Sequence, residues 1–404
     1  MNKNIVAGFL LLFLLTNVNA KPSDGKQQGQ SNYQVIFNFV SDSTGARPMG
    51  LFLDSDNSLY GTTIAGGSQS QGIVYKLDAN HQFKQLHDFV NPEDGAFPNS
   101  ALILNADGYL YGTTVFGGSS AKCDFGCGTI YKIDKNGNEQ VLHSFDNSDG
   151  SAPYAKLTID KNGMIYGVTS GGGNYGGGTI FQITPQLQLN TLFSFTKNDM
   201  GYSPQSALVL GADGEYYGTT LYGDGGNYYG SIFKMDQNNN VSVVHSFTGS
   251  EDGSFPNSEP ILAKDGSLYG TTNLGGDAKC NSIGCGTVYK LTPSGQKITV
   301  YAFQDRSSGI DPSSNLVMDS AGNLYGATNL GGKDSFKTPN GFGVIYKIDV
   351  NGNYSVIHEF QGGNDGYDPE GNLVIDSAGN IYGTTFAGGT EDLGTVFEIT
   401  TTGK

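Results

Sequence analysis

The sequence from residue 110 to residue 132 reads LYGTTVFGGSSAKCDFGCGTIYK, and both of its ends return throughout the chain. The Tyr-Gly-x-Thr motif occurs in seven copies, which start at Tyr60, Tyr111, Tyr166, Tyr217, Tyr269, Tyr325 and Tyr382. Successive copies are 51, 55, 51, 52, 56 and 57 residues apart. A period of about 50 residues with strand-like content is typical of a β-propeller or another repeat array.

Each repeat contains four predicted strands. In the second copy, strand a covers residues 101–104, strand b 109–114, strand c 128–133 and strand d 139–145. Asp-Gly and Asn-Gly turns separate these β-branched and aromatic runs, and such turns are hairpin signals. Four antiparallel strands of this kind form one propeller blade.

The two ends of the chain predict how the ring closes. The seventh copy stops at its strand c, residues 394–399, and the segment 35–39 before the first copy resembles the strand d sequence 142–145. An N-terminal strand in that position would leave no sheet edge free. The sequence therefore predicts an all-β fold, a seven-bladed β-propeller with four-stranded antiparallel blades. We expect an N-terminal strand d to close the ring by joining C-terminal strands a–c.

The N-terminal region predicts export. Residues 1–20 are interpreted as a signal peptide, with an apolar segment at 5–15 and a small-residue cleavage site at 18–20. Residues 21–32 are polar and are predicted to be a flexible lead-in, and residues 33–400 a single propeller domain. No cysteine follows the apolar segment. We therefore expect an extracellular or periplasmic protein without a membrane span or lipid anchor.

The acidic composition argues against polyanionic partners. The formal net charge is −16, and the chain has 61 glycines, 23 tyrosines and 23 phenylalanines. Nucleic acids and anionic lipid surfaces attract basic patches, so neither is an expected partner. Many turns between aromatic strands fit an all-β repeat protein.

The combined motifs resemble a known family. Leu-Tyr-Gly-Thr-Thr, Gly-Gly, Gly-Thr-Val-Phe/Tyr-Lys, Leu-His-Ser-Phe and Asp-Gly-x-x-Pro recur between Tyr33 and Ile399. This pattern resembles the GloVer-type (Gloeobacter/Verrucomicrobia) tandem-repeat family of exported bacterial β-propeller proteins. The resemblance implies that fold and implies no particular activity. Members carry varied C-terminal anchors, whereas this chain ends soon after its last predicted strand, so we do not expect surface attachment by that route.

The four cysteines predict two disulfides and no metal site. Cys123 pairs with Cys127 and Cys280 with Cys285 in this interpretation, each pair within a long b–c connection. Local, even-numbered cysteines in an exported chain are typical of disulfides. A zinc site needs four ligands, and no second Cys or His pair lies nearby in the sequence.

Histidine predicts no catalytic residue. Four of the five histidines occupy one equivalent position, two residues before the Phe that ends strand d. Phe193 and Tyr301 stand there in other copies, so the position accepts a plain aromatic side chain. We interpret these histidines as packed side chains of the outer strands, which leaves a Ser-His-Asp triad without a histidine.

Four aspartates are candidate ligand contacts. Asp94, Asp149, Asp252 and Asp365 each precede the Gly of a Gly-x-x-Pro motif in the d–a connection. Asp-Gly turns occur without any ligand, because the aspartate side chain caps its own turn. Calcium is the alternative, since it takes several oxygen ligands at exposed loops. No other cofactor is predicted.

Four aromatic residues complete the candidate site. Phe97, Tyr202, Phe255 and Tyr367 lie between the Gly and Pro of the same motif. In an antiparallel blade the d–a and b–c connections emerge on one face, and the b–c connections vary from 8 to 14 residues. Aromatic groups beside carboxylates suit sugars or a protein partner. The alternative is that they pack under glycine-rich loops.

These features favour a binding module over an enzyme. The first hypothesis is an exported propeller that presents the b–c/d–a face to a carbohydrate or a protein. The alternative is an exported, carboxylate-dependent hydrolase or lyase, because paired acids can catalyse hydrolysis without histidine. A purely structural surface protein is the third possibility.

Overall fold

The computed structural model describes residues 32–90, 92–196, 200–223, 228–277, 280, 283–332 and 341–400. Seven antiparallel sheets follow one another as the blades of a propeller, and the repeats predicted their number. The predictions for residues 1–20 and 21–31 lie outside the described residues.

The strands of each blade run from strand a at the central axis to strand d at the outside. Strand a is Ala46–Leu53, Ile103–Leu104, Thr158–Ile159, Val209–Leu210, Ile261–Leu262, Val317–Met318 and Val374–Ile375 in blades 1 to 7. Strand b is Leu59–Ala65, Leu110–Thr114, Ile165–Thr169, Tyr216–Tyr222, Leu268–Thr272, Leu324–Thr328 and Ile381–Thr385. Strand c is Ile73–Leu77, Thr129–Ile133, Thr179–Ile183, Ser231–Met235, Thr287–Leu291, Val344–Ile348 and Thr395–Thr400. Strand d is Phe83–Asp88, Glu139–Ser144, Leu189–Ser194, Val241–Ser246, Lys297–Ala302, Tyr354–Glu359 and Asn32–Asn38.

Two smaller elements complete the fold. Blade 4 has an additional strand, Tyr202–Pro204, which pairs with its strand b. Short 3-10 helices occupy the d–a connections at Asp42–Thr44, Ser250–Asp252, Arg306–Ser308 and Gly363–Asp365.

The ring closes as the sequence predicted. The N-terminal strand Asn32–Asn38 pairs antiparallel with Thr395–Thr400 and forms the outer strand of blade 7. Phe39, the residue directly after this strand, is fully buried and contacts Tyr75 of blade 1 with 5.3 Å between ring centroids. The same contact joins Phe145 of blade 2 to Phe181 of blade 3, also at 5.3 Å. Closure therefore uses the packing that joins every other pair of blades.

The glycine of the Tyr-Gly-x-Thr motif makes room for a core aromatic. Gly112 of strand b lies opposite Tyr131 of strand c. A Cβ atom on Gly112 would lie 2.6 Å from Cζ of Tyr131, whose side chain is fully buried. Since real Cβ atoms do not come that close, the motif requires glycine wherever strand c places a ring across strand b.

The threonines of the motif tie the strands of a blade together. The hydroxyl groups of Thr114 in strand b and Thr129 in strand c share a hydrogen bond of 2.7 Å, and both side chains are buried. Thr114 Oγ1 also donates to the carbonyl oxygen of Phe116, 2.8 Å away. Buried hydroxyl groups need such partners, and the strand b position is Thr in all seven blades, whereas strand c has Ile73, Ser231 and Val344 in blades 1, 4 and 6.

The Gly-x-x-Pro motif joins neighbouring blades. Ala152, the residue before Pro153, donates its N–H to the carbonyl oxygen of Cys127 in the preceding blade (2.9 Å), and its own carbonyl oxygen accepts from Ser170 N–H (3.1 Å). Its φ is 53°, a left-handed value that is uncommon outside glycine. Seven residues share this position and a positive φ, and we call them the pre-proline ring: Arg47, Phe97, Ala152, Ser203, Phe255, Asp311 and Asp368.

Candidate functional site

The d–a and b–c connections of each blade meet on one face of the propeller. In blade 2, Ala96 of the d–a connection and Phe116 of the b–c connection exchange two backbone hydrogen bonds of 2.9 and 3.1 Å. Equivalent bridges join Ser151 with Gly171, Ser254 with Leu274, Ile310 with Leu330 and Tyr367 with Ala387. The sequence-predicted site residues therefore lie on the same face as the connections of variable length.

Two of the predicted aromatic residues lie close together. Tyr202 stacks on Tyr222 of the same blade, with 4.8 Å between ring centroids. Tyr222 in turn contacts Phe255 of blade 5 edge-on at 6.1 Å. Phe255 belongs to the pre-proline ring, whereas Tyr202 lies one residue earlier in its motif. The structure thus forms one aromatic cluster, Tyr202, Tyr222 and Phe255, at the border of blades 4 and 5.

The other two predicted aromatic residues lie in separate blades. Phe97 of the pre-proline ring is 38% exposed and contacts Phe116 edge-on at 5.5 Å. Phe116 also meets Phe125, whose side chain is 77% exposed. Tyr367 packs against Phe342 at 5.7 Å, and burial raises its pKa to about 12. Packing under loops and exposure to solvent therefore coexist on this face.

The predicted aspartates have partners within their own turns. Asp149 Oδ2 lies 2.7 Å from Nε2 of His143, and its Oδ1 accepts the N–H of Asp146 at 2.9 Å. Asp365 is held similarly by His358 and by the N–H of Gln361. His143 and His358 of strand d thus support the d–a turns that follow them, whereas His87 Nε2 has no hydrogen-bond partner among the described residues. Whether these aspartates also contact a ligand stays a prediction.

Asp252 and Asp94 show how neighbouring strands change this turn. Asp252 accepts from His245 and from Lys297 Nζ at 2.8 Å. Although burial opposes ionisation, these bonds lower the pKa of Asp252. In blade 2 the place of Lys297 is taken by Glu139, whose pKa rises to about 7 through burial and through the charge of Asp94.

Both predicted disulfides are confirmed. Cys123 is bonded to Cys127 and Cys280 to Cys285, and no described cysteine is free. Each bridge holds a b–c connection that exposes an apolar side chain, Phe125 at 77% and Ile283 at 61%.

A carboxylate group that sequence reasoning missed lies at the mouth of the central channel. Asp311 and Asp368 belong to the pre-proline ring, and Glu370 follows two residues after Asp368. Asn329 Nδ2 donates to Asp311 Oδ2 at 3.4 Å and to Glu370 Oε1 at 3.3 Å, so one amide group joins two carboxylates from adjacent blades. Arg47, the ring member of blade 1, lies over the Phe386 ring at 5.1 Å. Burial raises the pKa of Glu370, and the charge of Arg47 opposes this rise.

The electrostatics of this group are unusual. Burial, followed by the charge of Glu370, raises the pKa of Asp311 to about 7. Burial and the charges of Glu370 and Asp311 raise the pKa of Asp368 well above its usual value. Burial also raises the pKa of Glu370, against the effect of Arg47. Perturbed carboxylates in a cleft are typical of functional sites.

Side chains deeper in the channel meet across the axis. Lys156 of blade 3 forms an ion pair of 2.8 Å with Glu259 of blade 5, which reaches past the intervening blade. Asn372 of blade 7 bonds both backbone groups of Leu51 in blade 1, at 2.6 and 2.8 Å. Lys156, Glu259 and Asn372 each lie two residues before strand a of their blades, so polar side chains next to the inner strands connect the blades.

Few sequence signals pointed to Asp311 and Asp368. The position before the proline differs in nearly every copy, and only its left-handed φ and its place in the ring give it a common role. An alignment of the seven copies would have shown acids there in blades 6 and 7 and arginine in blade 1, which are neighbours only once the ring is closed.

Two further observations concern metal and membrane. Within the part of the chain that the structure describes, no group of three or more His, Cys, Asp or Glu side chains is arranged to hold a metal ion. In the same part, no helix has the length and apolarity needed to cross a bilayer.

Solved structures share the fold at low sequence identity. Virginiamycin B lyase from Staphylococcus aureus superposes with a TM-score of 0.59 at 16% identity, covering 92% of this chain and 99% of the lyase. The extracellular domain of a proposed one-component system from B. thetaiotaomicron gives 0.58 at 13% identity, over 91% of this chain and 40% of that protein. PorZ, a surface component of the type-IX secretion system of Porphyromonas gingivalis, gives 0.53 at 12% identity, over 88% and 46%. These similarities concern the fold alone.

The family comparison covers nearly the whole chain. No curated protein sequence matches it. The model of the Gloeobacter/Verrucomicrobia repeat matches residues 26–228, 115–283 and 278–404. The repeats, the seven blades and this match lead to one conclusion: the chain belongs to the Gloeobacter/Verrucomicrobia repeat family.

Proposed function

We propose that this protein is an exported binding module that takes a carbohydrate at the channel mouth on the b–c/d–a face. The observation that carries the proposal is that aromatic rings and polar groups occur together on this face. The aromatic cluster lies at the border of blades 4 and 5, and the carboxylates that share Asn329 lie on blades 6 and 7. Rings that cover apolar sugar faces, beside groups that bond hydroxyls, suit a saccharide.

The aromatic cluster supplies contact area at low cost in conformational entropy. Tyr202, Tyr222 and Phe255 hold one another in place through ring contacts of 4.8 and 6.1 Å. Phe97 is partly exposed on the same face. Preorganised aromatic groups of this kind are frequent energetic centres of binding sites.

Export is supported by chemistry and by analogy. Two disulfides within loops fit an oxidising compartment. A propeller of the same fold forms the extracellular domain of the B. thetaiotaomicron protein.

A glycan array read with the purified protein, followed by titration of each hit, tests the proposal. The variants are Phe97→Ala and Phe255→Ala, because Ala152 already occupies the same left-handed position in blade 3. We expect each to weaken saccharide binding about tenfold or more, with folding intact. Val350→Ala, an exposed apolar side chain of a c–d turn on the opposite face, is the control.

Unchanged affinity in the Phe97→Ala/Phe255→Ala double variant would rule out this site. An array without any hit would argue against a carbohydrate and favour a protein partner.

A second candidate is a carboxylate-dependent hydrolase or lyase. Its supporting observation is that Asp311 and Glu370 share the amide group of Asn329. Burial raises the pKa of Asp311 to about 7. Two carboxylates with raised pKa values that share one amide partner can act as acid and base. Turnover of a polysaccharide that disappears in Asp311→Asn while binding persists would establish this function. Absence of turnover on every polysaccharide that the array identifies would rule it out.

A further inference from the structure

Several oxygen atoms at the channel mouth have no hydrogen-bond partner among the described residues. They belong to blades 5 and 6 and are Asn257 Oδ1, Asn273 Oδ1, Asp311 Oδ1, Ser313 Oγ and Asn329 Oδ1. Asn257 and Ser313 occupy the same place after the motif proline, and Asn273 and Asn329 the same place after strand b. Buried polar atoms normally have partners, so these oxygens leave hydrogen-bonding capacity that a ligand can use.

The orientation of Asn329 shows that its unpaired atom is an acceptor. Only 6% of its surface is exposed, and its Nδ2 faces Asp311 Oδ2 and Glu370 Oε1. Turning the amide over would place its oxygen against two carboxylates, which is unfavourable, so the network fixes the amide orientation. The unpaired atom of Asn329 is therefore its oxygen. A ligand at this place has to bring hydrogen-bond donors.

The charge balance indicates a cationic donor. Burial raises the pKa of Asp311, Asp368 and Glu370, the charge of Glu370 raises it further for the two aspartates, and Arg47 offsets part of the rise for Glu370. Asp392, which faces Tyr367 next to them, adds a further carboxylate. A bound cation would relieve this repulsion.

We propose that a protonated primary amine docks among Asp311, Asn329 and Glu370, and that the bound saccharide is an amino sugar with a free amine. The saccharide part of this inference rests on the proposed function. An ammonium group has three donors and no acceptor, which matches a set of acceptors without partners. A metal ion fits less well, because the described residues contain no group of three metal-binding side chains.

Calorimetric titration of the full chain with three probes tests the inference. The probes are a glucosamine trimer, its fully N-acetylated counterpart and spermidine. We expect the free-amine trimer and spermidine to bind, and the acetylated trimer to bind about tenfold or more weakly, because it offers no charge. Asp311→Asn should remove this preference. Asp124→Asn, an exposed carboxylate on the same face, changes the net charge equally and should keep it.

Each alternative result has a distinct meaning. Equal binding of both trimers would overturn the inference and leave the carbohydrate proposal standing. Spermidine binding that Asp311→Asn weakens, with neither trimer bound, would support the amine site and overturn the carbohydrate proposal. If neither amine binds, the inference is wrong.

The pH dependence of spermidine binding gives an independent readout. Spermidine stays protonated while Asp311 ionises near its raised pKa of about 7. Affinity should therefore rise as the pH increases from about 5.5 to about 8, since the carboxylate must lose its proton to bind a cation. The charged neighbours Glu370, Asp368 and Arg47 face the same group and are expected to strengthen or weaken this rise, without reversing it. An affinity that does not change with pH would overturn the inference.

Discussion

At the scale of the residue, Asp311 combines three unfavourable features. It has a left-handed φ of 61°, its carboxylate is buried, and one of its oxygens is unpaired. Strain and unpaired buried groups tend to occur where a protein binds or catalyses. Asparagine is the substitution that isolates the charge, because it has the same shape and accepts left-handed φ as readily as aspartate.

We expect Asp311→Asn to stabilise the protein at high pH. The folded-state pKa of about 7 lies above the usual unfolded value, so the folded protein keeps a proton that the unfolded chain loses. Wild-type stability must then fall as the pH rises through the window from about 4 to about 7. The variant should melt at a higher temperature than wild type at about pH 8 and at a similar temperature at about pH 4. Calorimetry at both pH values measures this, and an equal shift at both would contradict it.

At the scale of the element, the two disulfide-bonded connections form rigid projections. In blade 2 the carbonyl oxygen of Phe125 accepts the N–H of Gly117 at 2.8 Å, and in blade 5 Ile283 accepts from Gly275 at 2.9 Å. Each bridge encloses only a few residues, with sequence separations of 4 and 5. Small loops have little closure entropy to lose, so their bridges act mainly on local order.

Removing one bridge should loosen one connection and leave the ring folded. For Cys123→Ser/Cys127→Ser we expect a loss of at most about 2 kcal/mol in the free energy of unfolding. Chymotrypsin should cleave faster after Phe125, whose side chain is already 77% exposed. The matched Cys280→Ser/Cys285→Ser variant should not change cleavage there. Complete unfolding of either variant would show that the bridges support the whole fold.

In the whole molecule, the residue after the closing strand makes the same aromatic contact as its equivalents in the other blades. Phe39 contacts Tyr75 across the closure, and Phe145 contacts Phe181 in an ordinary blade pair, both at 5.3 Å. All seven blade pairs carry such a contact, so the ring has no weaker joint in its core.

Phe39→Ala and Phe145→Ala should therefore cost similar amounts, about 3–5 kcal/mol each in the free energy of unfolding. Both side chains are fully buried. Denaturant titration followed by circular dichroism measures the two costs. A much smaller cost for Phe39→Ala would mean that the ring opens at its closure before it unfolds.

The blade structure could be predicted because each strand carries its own pattern. Turn residues and alternating aromatics mark strands locally, and the unmatched strand at residues 35–39 indicated the closure. Strand a is shorter in the structure than predicted, since only Ile103–Leu104 of residues 101–104 pair in blade 2.

The candidate site was less predictable because it depends on the ring. Phe97 and Tyr202 both lie between the Gly and the Pro of their motifs, but Tyr202 comes one residue earlier than Phe97. Phe97 therefore occupies the pre-proline position, whereas Tyr202 stacks on Tyr222. Asp311 and Glu370 are 59 residues apart and meet only through Asn329. No local pattern reports such a contact.

The pre-proline ring has a consequence for how this face can change. Its backbone N–H groups join neighbouring blades, so the side chain at each position is not needed for that task. Arginine, phenylalanine, alanine, serine and aspartate already occupy the same geometry. The side chains at these seven positions can therefore be substituted one at a time without changing the backbone contacts. A new specificity would then require a few point substitutions and no insertion, which makes this ring a natural starting frame for engineered receptors.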